Sequence, residues 1–298
     1  MKKIFTLLVM VALAACWTSC SDDDNDDNTN WQEIKATLEI TDATLASAFD
    51  CMEDEKDAYT TCKIIIDWGD GTIDESPKHY YSQKGIYYVT IKVKKIKKLN
   101  ISYSQVTSLN LSEATELTTL WCLNCKLTSL DLSKNIKLTT LGCGNNKLTS
   151  LDLSRNIKLT ELECYNNQLV SLDLSKNTEL TKLISSSNQL SSLDLSKNIK
   201  LYSLDCSSNQ LSSLDLSKNI KLYSLDCSSN QLSSLDLTKN IELIELDCEE
   251  NQFTQETVNA LLTSLPMGKY NNGESISTLK INDKWDTSIA EEKGWKVN

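Results

Sequence analysis

A pattern of twenty-one residues, Leu-x-x-Leu-x-Cys-x-x-Asn-x-Leu-x-x-Leu-Asp-Leu-Ser-x-Asn-x-x, begins at Leu117, Leu138, Leu159, Leu180, Leu201, Leu222 and Leu243, after a weaker copy at Ile96. Two consecutive copies, LYSLDCSSNQLSSLDLSKNIK and LYSLDCSSNQLSSLDLTKNIE, differ at only two of their twenty-one positions. One copy carries too few apolar side chains to offset the conformational entropy of ordering its own backbone, so no copy folds alone. Stacking the copies solves this. The leucines then share one continuous core, and short strands hydrogen-bond to their neighbours at about 4.8 Å. A fixed period of this size therefore predicts a solenoid.

The run Leu-x-x-Leu-x-Cys-x-x-Asn-x-Leu resembles the leucine-rich repeat, with cysteine at the third apolar position. The array is similar to the cysteine-containing repeats of the internalin family. Asn146, Asn167, Asn188, Asn209, Asn230 and Asn251 form one expected ladder, in which each amide bonds the backbone of the turn beside it. Cys125 stands where its first rung belongs, so the ladder should weaken there. A second row runs from Asn135 to Asn240. Cys122, Cys143, Cys164, Cys206, Cys227 and Cys248 share a third register, with Ser185 in the fourth copy. Parallel side chains in a row reach disulfide dihedrals poorly. Zinc needs four ligands converging on one point, which a straight row of thiols does not supply. Buried cysteine behaves as a small hydrophobe, and a serine in mid-column would interrupt a redox relay, so the column is expected to be structural packing. No metal and no cofactor are expected.

In such a fold the residues between the inward leucines face outward on the concave side. The strip reads from neutral and aromatic to acidic: Trp121 and Tyr165 early, then Tyr202, Asp205, Tyr223, Asp226, Glu245 and Asp247. Exposed aromatics among small polar groups suit a protein or glycan ligand. A stacked solubilising row copied by duplication explains Tyr202 and Tyr223 as well. Lysines such as Lys134 and Lys197 are expected on the convex side, offset by the column from Asp131 to Asp236.

The chain opens MKKIFTLLVMVALAACWTSCSDDDNDDN, two lysines and an apolar run ahead of small residues, cysteine and an acidic tract. That reads as an export signal over residues 1–20 and an acidic linker over 21–30. It resembles a lipoprotein signal of the Bacteroidetes kind, implying a lipid anchor at Cys20, with Cys16 as the alternative, and a position on the outer membrane facing the cell exterior. No nucleic-acid partner is expected at a formal charge of −11 with no basic face. The lipid anchor is the only membrane contact expected, and the chain is expected to be a monomer.

Over residues 31–95 the period gives way to strand-like alternation, as in Tyr87, Val89, Ile91 and Val93. DWGDGT at Asp67 to Thr72, HYY at His79 to Tyr81 and KGIYYVTIKV at Lys84 to Val93 resemble the PKD-type immunoglobulin-like domain, which implies a small β-sandwich acting as spacer or binding module. Asp67 and Asp70 are expected to shape a turn rather than hold calcium or do acid–base work. His79 is expected to be a satisfied strand residue. Cys51 and Cys62 are the pair most suited to a disulfide in an oxidising compartment, with buried thiols as the alternative.

Residues 96–252 are assigned to the repeats and 253–298 to a small α/β cap, with a helix N-capped by Thr254 and burying Val258, Leu261, Leu262 and Leu265. STLKIND and EEKGWKVN read as strand-like pieces. The whole is expected to be mainly β, a non-enzymatic surface protein that binds a protein or glycan through its concave face. A structural spacer, or an accessory subunit of a surface glycan-processing system, is the alternative.

Overall fold

A computed structural model of the chain describes residues 31–41, 47–52, 64–271, 274–282 and 284–298. The expected export signal and acidic tract, Cys16, Cys20 and Cys62 lie outside the described residues, and so does any pairing of Cys62 with the buried Cys51. From Gln32 to Asn298 the chain is one compact unit. No helix among the described residues is long and apolar enough to cross a membrane.

In chain order the strands before the regular array are β1 (Gln32–Ile40), β2 (Ser47–Ala48), β3 (Asp50–Met52), β4 (Ile64–Asp67), β5 (Ile73–Asp74), β6 (Lys78–His79), β7 (Gly85–Val93), β8 (Lys98–Asn100) and β9 (Val106–Asn110). β7 alternates as its sequence demands, burying Val89, Ile91 and Val93. It lies antiparallel between β1 and β4. The DWGDGT turn is held by backbone chemistry: Asp67 accepts from the Gly69 amide at 3.0 Å and Asp70 from the Thr72 amide at 3.0 Å. Gly69 has φ +77°, and a Cβ there would stand 2.6 Å from the Tyr88 carbonyl oxygen. Asp70 also meets His79 at 2.8 Å, while the His79 ring stacks on the buried Trp68 at 5.0 Å. The Tyr81 hydroxyl donates to the Trp68 carbonyl at 2.9 Å.

This segment is knitted into the repeats rather than linked to them by a free connection. The five-stranded sheet runs β5-β4-β7-β1-β9, and its last strand already belongs to the first, weaker repeat. β3 pairs antiparallel with β8, the first strand of the concave sheet. Two ladders therefore cross the boundary expected at residue 95. Among the described residues, the remaining strands of this segment are the short pair β2–β6 and β3, and β3 is part of the concave sheet.

The array adds one three-residue strand per copy: β10 (Thr119–Trp121), β11 (Thr140–Gly142), β12 (Glu161–Glu163), β13 (Lys182–Ile184), β14 (Ser203–Asp205), β15 (Ser224–Asp226) and β16 (Glu245–Asp247). All pair in parallel and in register, each with its leucine inward. After them come α1 (Gln255–Ser264), β17 (Tyr270–Asn271), β18 (Glu274–Ser275), β19 (Thr278–Lys280), α2 (Ser288–Glu292) and β20 (Lys296–Val297). α1 starts at Thr254 in a capping box with Thr257, and buries Val258, Leu261 and Leu262. β19 and β20 extend the concave sheet in parallel past the last repeat, covering its end. EEKGWKVN, read from sequence as strand-like, begins with the last two residues of α2, Glu291 and Glu292, and is strand only at Lys296–Val297.

The three internal columns behave differently. Each asparagine of the first ladder stitches its copy to the preceding one: Asn209 accepts from the Leu190 amide at 3.0 Å and donates to the carbonyls of Ser185, Cys206 and Ser207 at 3.1 to 3.2 Å. Cys125 keeps two equivalent contacts, its thiol donating to the Ile101 carbonyl at 3.3 Å and to the Leu123 carbonyl at 3.6 Å. The second row donates across the opposite turn, as Asn198 does to Leu174 and Asn177 at 3.2 and 2.8 Å. The six cysteines of the third column are fully buried and carry free thiols. Cys122 donates to the Gly142 carbonyl of the next strand at 3.4 Å, and Ser185 does the same to Asp205 at 3.4 Å, so serine fits the column by making the same bond. Burial pushes these thiols up, Cys164 to about 12, which keeps them protonated and poor nucleophiles.

Candidate functional site

On the concave sheet the first and third residues of each strand point outward and the middle one inward. The residue just before each strand forms a further row. In early copies this row is threonine, with Thr139, Thr160 and Thr181 each donating to the preceding copy's threonine carbonyl at 2.9 to 3.1 Å. In the next two copies Tyr202 and Tyr223 take over and stack face to face, 4.9 Å apart and 13° from parallel. They sit at the edge where the chain enters the sheet, and Tyr202 is 50% exposed.

Of the other aromatics expected on this face, Trp121 ends β10 and Tyr165 lies two residues beyond β12. The copy between them contains glycine at both matching positions. A Cβ on Gly142 would stand 2.1 Å from the Trp121 ring, and one on Gly144 2.5 Å from the Tyr165 ring. The indole thus lies across β11 from one side and the phenol across the following turn from the other. Both rings are part-exposed. Burial raises the Tyr165 phenol above its ordinary range, and Glu163 and Tyr103 add to this, while the Asn145 side chain opposes it. Beside the rings run Asn124, Asn145 and Asn166, all left-handed with φ of 50° to 53°. Asn166 donates to the Asn145 side chain. LGCGN in the second copy was the available signal, because no other copy puts glycine at either position. A glycine at an outward position gives by itself no hint of a ring resting on it.

At the other end Asp205, Asp226 and Asp247 face one another in strand register. Asp205 accepts from the Ser207 hydroxyl and the Ser186 hydroxyl at 2.7 and 2.9 Å, and Asp226 from Ser228 at 2.6 Å. Lys280, carried by β19 beyond the last repeat, closes the row with a 3.0 Å ion pair to Asp247. Glu245 is exposed beside it. Farther up, Lys182 pairs with Glu163 at 2.7 Å. Burial raises the Asp226 carboxyl first, and its neighbours Asp247 and Asp205 raise it further, against the opposing bonds from Ser228. The folded state therefore holds the Asp226 proton more tightly than the unfolded chain does. Its contribution is most favourable below 3.8 and declines as pH rises through the raised folded value. Asp226→Asn retains the acceptor for Ser228 and removes the repulsion. At neutral pH it should stabilise the protein by about 0.5 kcal/mol, a gain kept small by solvent screening of a half-buried group. Urea melts at pH 7 and pH 4 check this: the gain should shrink at the lower pH.

On the opposite turns the Asp131 to Asp236 column is exposed, each carboxylate held below its usual range by the amide two residues on, as Ser133 does for Asp131. Lys137–Glu116 and Lys200–Glu179 bridge adjacent copies at 2.6 Å.

Comparison with solved structures agrees with the repeat architecture. The functional domain of InlJ from Listeria monocytogenes, which includes a cysteine ladder, aligns with 39% identity and a TM-score of 0.56, over 62% of this chain and 39% of that one. A leucine-rich-repeat protein of Leptospira interrogans aligns with 21% identity and a TM-score of 0.53, over 68% of this chain and 50% of that one. The chain thus spans half or less of the length of these two structures. No family model and no curated protein sequence matches it. The protein is a leucine-rich-repeat solenoid similar to internalin-type structures in carrying a cysteine ladder.

Proposed function

We propose that this chain is a non-enzymatic surface protein that recognises a macromolecular partner, protein or glycan, with the concave sheet of its solenoid. The observation carrying this reading is the outward strip itself: strands β10 to β16 leave it uncovered, while every leucine and thiol behind it is committed to the core. Variation is concentrated there. Inward positions repeat almost unchanged, whereas outward ones pass from Trp121 through Glu163 and Ile184 to Asp226. Backbone-fixed strands hold such side chains rigidly, which lowers the entropy cost of binding. The likeness of the array to the functional domain of InlJ supports this reading. In this reading the chain is exported and held at the outer membrane through Cys20, or Cys16, and the DWGDGT segment, resembling a PKD-type domain, joins the anchor to the array.

The test is to probe host-protein and glycan arrays with the protein and with outward-face substitutions Thr140→Lys and Ser203→Lys, taking Lys197→Glu on the far turn as control. Binding should fall at least about tenfold for at least one of the first two, the equivalent of about 1.4 kcal/mol, and stay within twofold for the control. Binding indifferent to both concave substitutions would remove the concave-face assignment, and no binding on either array would leave the spacer reading in its place.

A further inference from the structure

We infer that the Trp121–Tyr165 pair is a preformed stacking platform for an uncharged saccharide chain, a deepening of the concave-face reading on which it rests. Two glycines make it. Because Gly142 and Gly144 lack a Cβ, the indole and phenol settle onto the strand and the turn after it, where any other residue would collide with them at 2.1 and 2.5 Å. The two glycines are two residues apart in one copy, so both rings are seated on that copy. Both are seated against backbone, so little side-chain entropy is lost when a ligand arrives.

The surroundings select the ligand class. Sugar rings present flat C–H faces that pack on aromatic faces, and rims of hydroxyls that need donors and acceptors. Asn124, Asn145 and Asn166 line the turn beside the rings and supply both. Thr119 and Thr140 add hydroxyls on the sheet, each outward and part-exposed. A protein hot spot instead calls for a desolvated pocket around its anchor. Here one ring is seated on a strand and the other on the turn after it, both part-exposed rather than desolvated. On the next strand Glu161 and Glu163 place carboxylates beside the platform, and Lys182 is the cation paired with Glu163. Uronic or sialic acids would meet that negative charge, so the fit is to neutral sugars. The acidic row at Asp205 to Asp247 and the Tyr202–Tyr223 stack lie on later copies and take no part.

The experiment is a glycan array of neutral and acidic oligosaccharides followed by calorimetric titration of the best neutral binder into the full chain. Trp121→Ala and Tyr165→Ala should each weaken it about tenfold, whereas Tyr165→Phe, which keeps the ring, should stay within about threefold. Gly144→Val should match Tyr165→Ala by unseating the ring, and the double variant should be no worse than either, a non-additivity that general destabilisation would not produce. Lys197→Glu, on the far turn, should leave sugar affinity unchanged. The inference is overturned if no neutral oligosaccharide binds, if acidic ones bind better, or if Trp121→Ala and Tyr165→Ala bind as the parent does. A protein partner lost on Ser203→Lys alongside absent sugar binding would sustain the concave-face reading while removing this one.

Discussion

Asn209→Ala should cost about 3 kcal/mol of folding stability, as much as removing a core leucine, because it leaves the buried Leu190 amide without its partner and takes one of two donors from each of the Ser185 and Cys206 carbonyls, which keep only Asn188 and Asn230. The residue is only 8% exposed, so water cannot readily replace the amide. The bonds also run between copies: the Leu190 amide and Ser185 carbonyl belong to the preceding one. In a solenoid, where each copy is stable only against its neighbours, such a loss strikes the interface term rather than one copy's own fold. Leu204→Ala is the comparison, at about 3 kcal/mol from lost burial and the cavity left behind. Chemical denaturation of both variants checks the pair. An Asn209→Ala cost below about 1 kcal/mol would mean that the ladder follows the fold without holding it.

That ladder was legible in the sequence because it is periodic. So were the inward leucines, the thiol column and the capped helix at Thr254, since each follows from local spacing and the chemistry of one residue type. What escaped is non-periodic. Nothing near Lys280 says that it will stand beside Asp247, because β19 reaches the sheet only after a helix and a hairpin have intervened. The Trp121 platform depends on a relation between copies, an aromatic in one and glycine in the next, which a position-by-position reading of outward residues does not capture. The pairings of β1 with β9 and of β3 with β8 join segments dozens of residues apart, and antiparallel register between them leaves no repeated signature.

Those two pairings carry the second large effect. Removing residues 32–95 should unfold the first repeats, even though each regular copy after them is intact. The deletion takes away β3, leaving the β8 edge and its inward Leu99 uncovered, and takes away β1, against which Leu109 is packed through Ala36. An open solenoid end presents unpaired strand groups and bare leucines, which is why arrays need a terminal unit unlike their repeats. At the far end α1, β19 and β20 do this work, and at the near end the DWGDGT segment does it. Hydrogen exchange distinguishes a cap from a tethered module. In the shortened chain the amides of β8, β9 and β10 should lose protection by orders of magnitude, with a smaller loss at β14, as disruption spreads inward from the exposed end. Unchanged protection across residues 96–130 would show the array closing itself, and the segment would then be an independent module that happens to share a sheet.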